Sequence, residues 1–327
     1  MHMKKWKHRI GAVLAAALLF TGCGMPVDDE DVPLAVPEYV DFETWKAENL
    51  TPYDSNAGAY QGVFNTAEYH PDKAQGTASA KIDVSEVSKG YVAASAFSQK
   101  RLKFQVIANG VTYNYDMQGD GTPAIFPLQL GNASYKFRIM ENTTAKKYAE
   151  LTSVTVWVQL ESDFAPYVRT NNYVKYTSAS ACVQKAAELA AGASDTVGVI
   201  AKVYEFVCST VKYDYQKANT VTTGYLPDPD STMNTGMGIC FDYAALAAAM
   251  LRSQGIPTKM VLGYVAPNSL YHAWNMFYTE ETGWVTVNFQ IAKGVWNRLD
   301  LTFSAGGGDG YAQFIGNGTN YTDVYYY

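Results

Sequence analysis

The chain has 327 residues, 48% hydrophobic and 17% charged, a balance that excludes a disordered polypeptide and supplies enough apolar surface for two globular cores. Its 25 basic and 31 acidic residues give a formal net charge of −6, which argues against nucleic acid as a partner, because phosphate binding requires a basic face.

The first stretch, MHMKKWKHRIGAVLAAALLFTGCG, has a basic start (Lys4, Lys5, Lys7, Arg9) followed by an apolar run from Ile10 to Phe20. That run is too short to span a bilayer and its basic flank marks export, so residues 1–22 are expected to be a signal peptide. The segment Phe20-Thr21-Gly22-Cys23 resembles a bacterial lipobox, which implies lipidation of Cys23 and an extracytoplasmic protein anchored to the membrane. An ordinary cleavage site without lipid is the alternative. Removal of residues 1–22 takes four from the basic count and none from the acidic count, deepening the charge from −6 to −10.

Residues 23–75 are acidic and dotted with proline, with little periodicity, and are expected to form a lipid-anchored tether and a loosely structured segment. A short helix fits Phe42 to Asn49. Over 76–170 the apolar pattern takes a period of two: Leu102, Phe104, Val106, then Val111, Tyr113, Tyr115, with Asn109-Gly110 between them as a tight hairpin turn. The same alternation returns at Tyr135, Phe137, Ile139 and at Val154, Val156, Val158, which predicts an antiparallel β-sandwich of the immunoglobulin-like kind with a structural or binding role. The sequence DMQGDGT from Asp116 imitates a calcium loop, but Pro127 stands where the closing glutamate belongs, so a turn between strands is expected.

In residues 171–327 the period moves toward helix. SASACVQKAAELAAG and DTVGVIAKVYEFVCSTVKYD read as two helices in a hairpin, with Asp195 as the second helix's N-cap. Cys182 and Cys208 stand thirteen residues either side of position 195 and so at one level of that hairpin. They are candidates for a disulfide, with two buried free thiols as the alternative.

Cys240 opens a third helical pattern that runs to Gln254 and is ended by Gly255 and Pro257. Unsatisfied amides and the helix dipole at a first turn favour a thiolate, and Gly236 and Gly238 permit close backbone approach, so an N–H can face an oxyanion. A nucleophilic thiol needs a base. Of four histidines, His2 and His8 fall in the export signal and His70 in the tether-like region, leaving His272 in the alternating stretch YHAWNMFYT.

The blocks Gly238-Ile239-Cys240-Phe241-Asp242-Tyr243-Ala244, Gly255-Ile256-Pro257, His272-Ala273-Trp274 and Trp296-Asn297-Arg298-Leu299-Asp300 resemble, in that order, the transglutaminase-like (papain-like) superfamily in its bacterial secreted form, across about residues 175–303. The resemblance implies an α+β chain whose papain-like transglutaminase core, a Cys-bearing helix packed on an antiparallel sheet, follows the sandwich. It implies a triad of Cys240 as nucleophile, His272 as general base and acid, and Asp300 as orienter of the imidazole. Leu301 stands where the family usually has proline. Asn288, four residues after Trp284 as Asp300 is after Trp296, is the alternative orienter, and Trp284 to Ile291 then read as an inserted strand and turn. Asp242 is expected to complement the helix N-terminus and Trp274 to wall the site. None of Tyr213, Tyr215 and Tyr225 can be chosen as an oxyanion donor.

No Walker loop, zinc-spaced cluster or dinucleotide fingerprint occurs, and no cofactor or metal is expected. The expected activity is extracytoplasmic, cysteine-dependent acyl transfer on peptide or protein amides through a thioester, of transglutaminase or of peptidase or deamidase type. Its partners would be a peptide or protein substrate at the cell surface, a primary amine as acceptor, and the membrane through the N-terminal lipid. The competing reading is a non-catalytic cell-surface binding or scaffold protein that keeps the papain-like fold, favoured if Cys240 is buried or His272 turns away.

Overall fold

The computed structural model describes residues 60–266, 270–281, 283–286, 289–291, 294–306 and 321–327. Cys23, the helix expected over 42–49 and Asn288 lie outside the described residues. From residue 60 the chain runs as an irregular arm fastened to the body: Tyr60 N donates to Ala193 O at 2.7 Å, and His70 N to Asp83 Oδ2 at 2.7 Å. The His70 ring also lies 3.1 Å from that carboxylate oxygen, so this histidine is engaged by Asp83.

Two four-stranded sheets follow. One orders β1 (Gln75–Gly76), β2 (Ala80–Asp83), β3 (Tyr91–Ala96) and β6 (Ala124–Pro127). The other orders β5 (Val111–Met117), β4 (Leu102–Ala108), β7 (Ala133–Thr144) and β8 (Lys147–Val158), and every pairing is antiparallel. The alternation in β4 sends Leu102, Phe104, Val106 and Ala108 inward, where Phe104 stacks 4.1 Å from Phe126 of the facing sheet. Asn109 (φ 52°) and Gly110 (φ 77°) make the two-residue turn, whose left-handed backbone matches the twist of the strands it joins. Asp116 is paired with Arg101 at 2.9 Å and Lys103 at 3.0 Å, a strand-end ion cluster.

The second half opens with α1 (Ala181–Ala191) and α2 (Thr196–Thr210); Asp195 caps α2 by accepting from Gly198 N at 2.7 Å. Then come β9 (Lys212–Tyr213), α3 (Tyr215–Thr220), α4 (Pro229–Thr235), β10 (Met237–Gly238) and α5 (Cys240–Arg252). They are followed by β11 (Thr258–Val265), β12 (Leu270–Thr279), the hairpin β13 (Gly283–Thr286) and β14 (Phe289–Ile291), β15 (Val295–Leu299), α6 (Leu301–Gly306) and β16 (Tyr321–Tyr326). A four-stranded antiparallel sheet, β15-β12-β11-β16, packs against α5. All thirteen residues of α5 are buried, and its alanines let neighbours approach its backbone closely while it is surrounded by α1, α2, α4 and the sheet.

One hydrophobic core runs through both halves, stitched by aromatic rings. Tyr327, after β16, meets Tyr115 of the sandwich at 5.4 Å and Tyr173 at 4.7 Å, and Tyr173 in turn packs 5.5 Å from Phe241 of α5. Arg252, fully buried, donates to the carbonyls of Thr258, Arg169 and Tyr327.

The disulfide candidate is corrected here. Cys182 and Cys208 are both free thiols. Helical rotation turns them apart: Cys182 hydrogen-bonds Asp230, while Cys208 Sγ lies 3.8 Å from Leu301 O. Spacing along a hairpin sets the level of two residues and leaves their facing open. Among the described residues, no helix is long and apolar enough to cross a membrane.

Candidate active site

The backbone ahead of Cys240 is pinned from two sides. Gly236 (φ 62°) ends α4 in the left-handed conformation, its N–H on Thr232 O at 3.0 Å. β10 then lies parallel to β9, with Asp214 N on Gly238 O at 2.9 Å. A Cβ on Gly238 would stand 2.8 Å from Asp242 Cβ and 3.2 Å from Thr232 Cγ2, so this position admits only glycine without displacement.

Ile239 is the N-cap of α5 and has no oxygen to offer the first turn. Asp242, at the third helical position, reaches back and accepts from Ile239 N at 2.9 Å. It therefore does complement the helix N-terminus, and it also draws in two further groups: Tyr225 donates its hydroxyl to Oδ1 at 2.5 Å and Lys217 Nζ lies 2.7 Å from Oδ2. Cys240 occupies the first position of the helix, where its own amide and that of Phe241 have no acceptor within the helix.

His272 lies on β12 opposite Gly263 of β11. Gly263 has a packing reason: a Cβ there would fall 2.1 Å from Thr322 O, so glycine lets β16 close onto β11. The antiparallel pairing of β12 with β15, Asn275 opposite Leu299, delivers Asp300 one step past the end of β15 on the His272 side. His272 Nε2 and Asp300 Oδ2 are 2.8 Å apart, with side-chain exposures of 0% and 1%. Cys240 is likewise fully buried and lies close enough to the same imidazole for its charge to act on it. With Nε2 held by Asp300, Nδ1 is the nitrogen left for the thiol. Cys240, His272 and Asp300 thus meet in one buried cluster.

Burial works against a charged imidazole. The neighbouring charges of Asp300 and Cys240, with the hydrogen bond to Asp300, outweigh it, and the His272 pKa is pushed up to about 10. An imidazolium in that position stabilises a thiolate beside it. Burial pushes the Cys208 thiol well above its ordinary value, with the Asp300 charge adding to it, which makes it an inert structural cysteine.

Tyr321 is a residue of this site that carries no signal in the sequence. Tyr321 donates its hydroxyl to Asp300 Oδ2 at 3.0 Å, the oxygen that His272 uses. Arg298 lies 4.4 Å from the Tyr321 ring centroid and pairs with Asp323 at 3.1 Å, fixing that ring from outside. Trp274 walls the cluster: it stacks at 6.1 Å on His272 and meets Tyr321 edge-on at 4.8 Å.

Residues 183–289 match the model of the transglutaminase-like superfamily, which takes in Cys240 and His272 and stops short of Asp300. Over 86 residues the chain is 33% identical to YebA of Bacillus subtilis (strain 168), itself uncharacterized; the match covers 21% of this chain and 11% of YebA. Over 72 residues it is 31% identical to the UPF0252 protein MJ1282 of Methanocaldococcus jannaschii, covering 20% of each. The chain thus spans about a tenth and a fifth of the curated relatives it matches. Among solved structures, a candidate cysteine protease from Cytophaga hutchinsonii aligns with 71% of this chain and 73% of its own, at 15% identity and a TM-score of 0.36.

Proposed function

We propose, from the premise that residues 183–289 form a domain of the transglutaminase-like superfamily, that this protein is a cysteine-dependent acyltransferase of peptide or protein amides acting outside the cytoplasm. The observation that carries the reading is the buried chain of contacts from Cys240 through the His272 imidazole to Asp300 Oδ2, 2.8 Å from Nε2. Cys240 is the nucleophile, His272 the proton carrier and Asp300 the group that fixes the imidazole's orientation and balances its charge.

The Cys240 thiolate adds to the amide carbonyl, and the oxyanion develops at the N-terminus of α5, where first-turn amides and the dipole favour negative charge. His272 gives its proton to the departing amine as the C–N bond breaks, leaving a thioester. Water or a primary amine then attacks the thioester, His272 takes the incoming proton, and the thiolate departs. The first acceptor yields hydrolysis or deamidation and the second yields transamidation. Lipidation at Cys23 would hold this chemistry at the outer face of the membrane, and the sandwich would serve binding or spacing.

A second reading, a cell-surface binding or scaffold protein without turnover, draws on one observation: Cys240 has no exposed surface. The catalytic reading is preferred because a scaffold has no need of an imidazole poised between a thiol and a buried carboxylate.

The test incubates the protein and its Cys240→Ala variant with a mixture of glutamine-containing peptides, with and without a labelled primary amine, and reads products by mass spectrometry. Cys240-dependent amine incorporation establishes transamidation; Cys240-dependent fragments or deamidated glutamine establish water as acceptor. No product, together with no thiolate at Cys240 near neutral pH, sinks the enzyme reading in favour of the scaffold.

A further inference from the structure

Asp242 stands two residues past Cys240, at the same end of α5, with no exposed surface. Its carboxylate serves the Ile239 amide, which has no other cap in the first turn. That service puts a carboxylate in the first turn of the helix that carries the nucleophile, and a negative charge there works against the favour this terminus shows an anion. The cap and the nucleophile are in electrostatic conflict.

Lys217 meets that conflict. Its ammonium lies 2.7 Å from Asp242 Oδ2 and 2.5 Å from the Tyr225 hydroxyl, which itself donates to Asp242 Oδ1. The lysine sits on α3, whose N-cap Asp214 is tied to Gly238 O by its amide and accepts from Lys217 N at 2.8 Å. The ammonium is therefore carried by an element anchored to the backbone that leads into Cys240. Tyr225 extends the contact, its ring 6.4 Å from Phe241, the residue after the nucleophile.

We propose that Lys217 is a positioning residue that neutralises the Asp242 carboxylate, allowing Asp242 to cap the nucleophile helix without destabilising the Cys240 thiolate. The inference rests on the catalytic reading of Cys240 and adds to it a residue outside the triad. The remaining titratable groups around this end of α5 include Asp214 and Tyr213 beside Gly238, His272 of β12, Asp300 past β15, Tyr225 ahead of α4 and Cys208 of α2, and all stay unchanged in the variants below.

The test follows ionisation of Cys240 by the ultraviolet absorbance of the thiolate against pH, each protein measured against its own Cys240→Ala counterpart. This readout needs no reagent to enter the buried site. Lys217→Met is expected to raise the midpoint by about one pH unit. Lys217→Arg is expected to leave it in place, and Asp242→Asn added to Lys217→Met to bring it back. A folded Lys217→Met protein with an unmoved midpoint overturns the inference, as does a raised midpoint that Asp242→Asn does not restore, since loss of packing alone would behave that way. Should Lys217→Met fail to fold, Asp242→Asn alone decides: an ammonium left without its carboxylate must lower the midpoint, and no change overturns the inference. A wild-type protein with no Cys240 thiolate near neutral pH overturns the catalytic reading and this inference together; a thiolate indifferent to Lys217 overturns this inference alone.

Discussion

Tyr321 donates its hydroxyl to Asp300 Oδ2 at 3.0 Å, and the same oxygen lies 2.8 Å from His272 Nε2. The carboxylate proposed to orient His272 is thus itself held, by a strand at the far edge of the sheet, and the Tyr321 ring is held between Trp274 and Arg298. Tyr321→Phe keeps the ring and deletes one donor to a buried carboxylate. It is expected to cost about 1.5–3 kcal/mol of stability, as for hydrogen bonds to charged groups, and to lower kcat about tenfold with KM little changed. Denaturant melts and steady-state kinetics check it, and an unchanged kcat would reduce Tyr321 to packing.

The pH dependence follows from His272. Its pKa rises on folding from 6.5 to about 10, because Asp300 and Cys240 outweigh burial. The sign is that of a group protonated more readily in the folded state: its contribution to stability is complete below pH 6.5 and is lost as pH climbs through about 10. Denaturation midpoints measured across that range should decline in the wild type and stay flatter in His272→Phe. Activity should carry an alkaline limb near pH 10. Asp300→Asn removes the main raising influence while burial remains, so the limb should move toward acid by about 1–3 pH units and kcat should fall.

Cys240 and His272, the proposed nucleophile and base, were legible because their signals are local. A cysteine after glycines at the head of an alanine-rich helix, and a single histidine within an alternating strand, need only short windows of sequence. Asp300 was legible through its block alone and stood beside Asn288 as an alternative. Asn288 lies outside the described residues, and the placement of Asp300 beside His272 comes from the register of β15 on β12, a property of pairing between distant segments. Tyr321 and Lys217 were not legible: each reaches its carboxylate across more than twenty residues, and neither tyrosine in a strand nor lysine in a short helix marks a site. The sandwich was readable from its period of two and its Asn-Gly turn, whereas the irregular arm from Tyr60, held by scattered backbone and side-chain bonds, has no periodic trace.

Cys182 and Cys208 supply a covalent check on the helix facing. Both are free, one turned to Asp230 and the other to Leu301 O. Protein purified without reductant, then unfolded and alkylated with no reducing agent added, should carry the label on both residues in peptide mass spectrometry. A linked Cys182–Cys208 peptide would require α1 or α2 to be rotated from the arrangement described.

Gly238 tests how closely the backbone must approach Cys240. Its backbone is not in the left-handed region, so the cost of a side chain there is steric: a new Cβ would meet Asp242 Cβ at 2.8 Å, a backbone-proximal atom that cannot swing away. Gly238→Ala is therefore expected to push Asp242 off the Ile239 amide and to cost about 1–3 kcal/mol, the range for overpacking a tight site. Because the same carboxylate sets the start of α5, kcat should fall more than KM rises. The comparison is Gly110→Ala, where a Cβ meets nothing within 4 Å but φ is 77°. That variant is expected to lose about 1 kcal/mol from backbone strain and to leave activity intact. Thermal melts and kinetics of the pair distinguish a steric requirement at the site from a conformational one in a distant turn; equal losses of activity would deny Gly238 its special place.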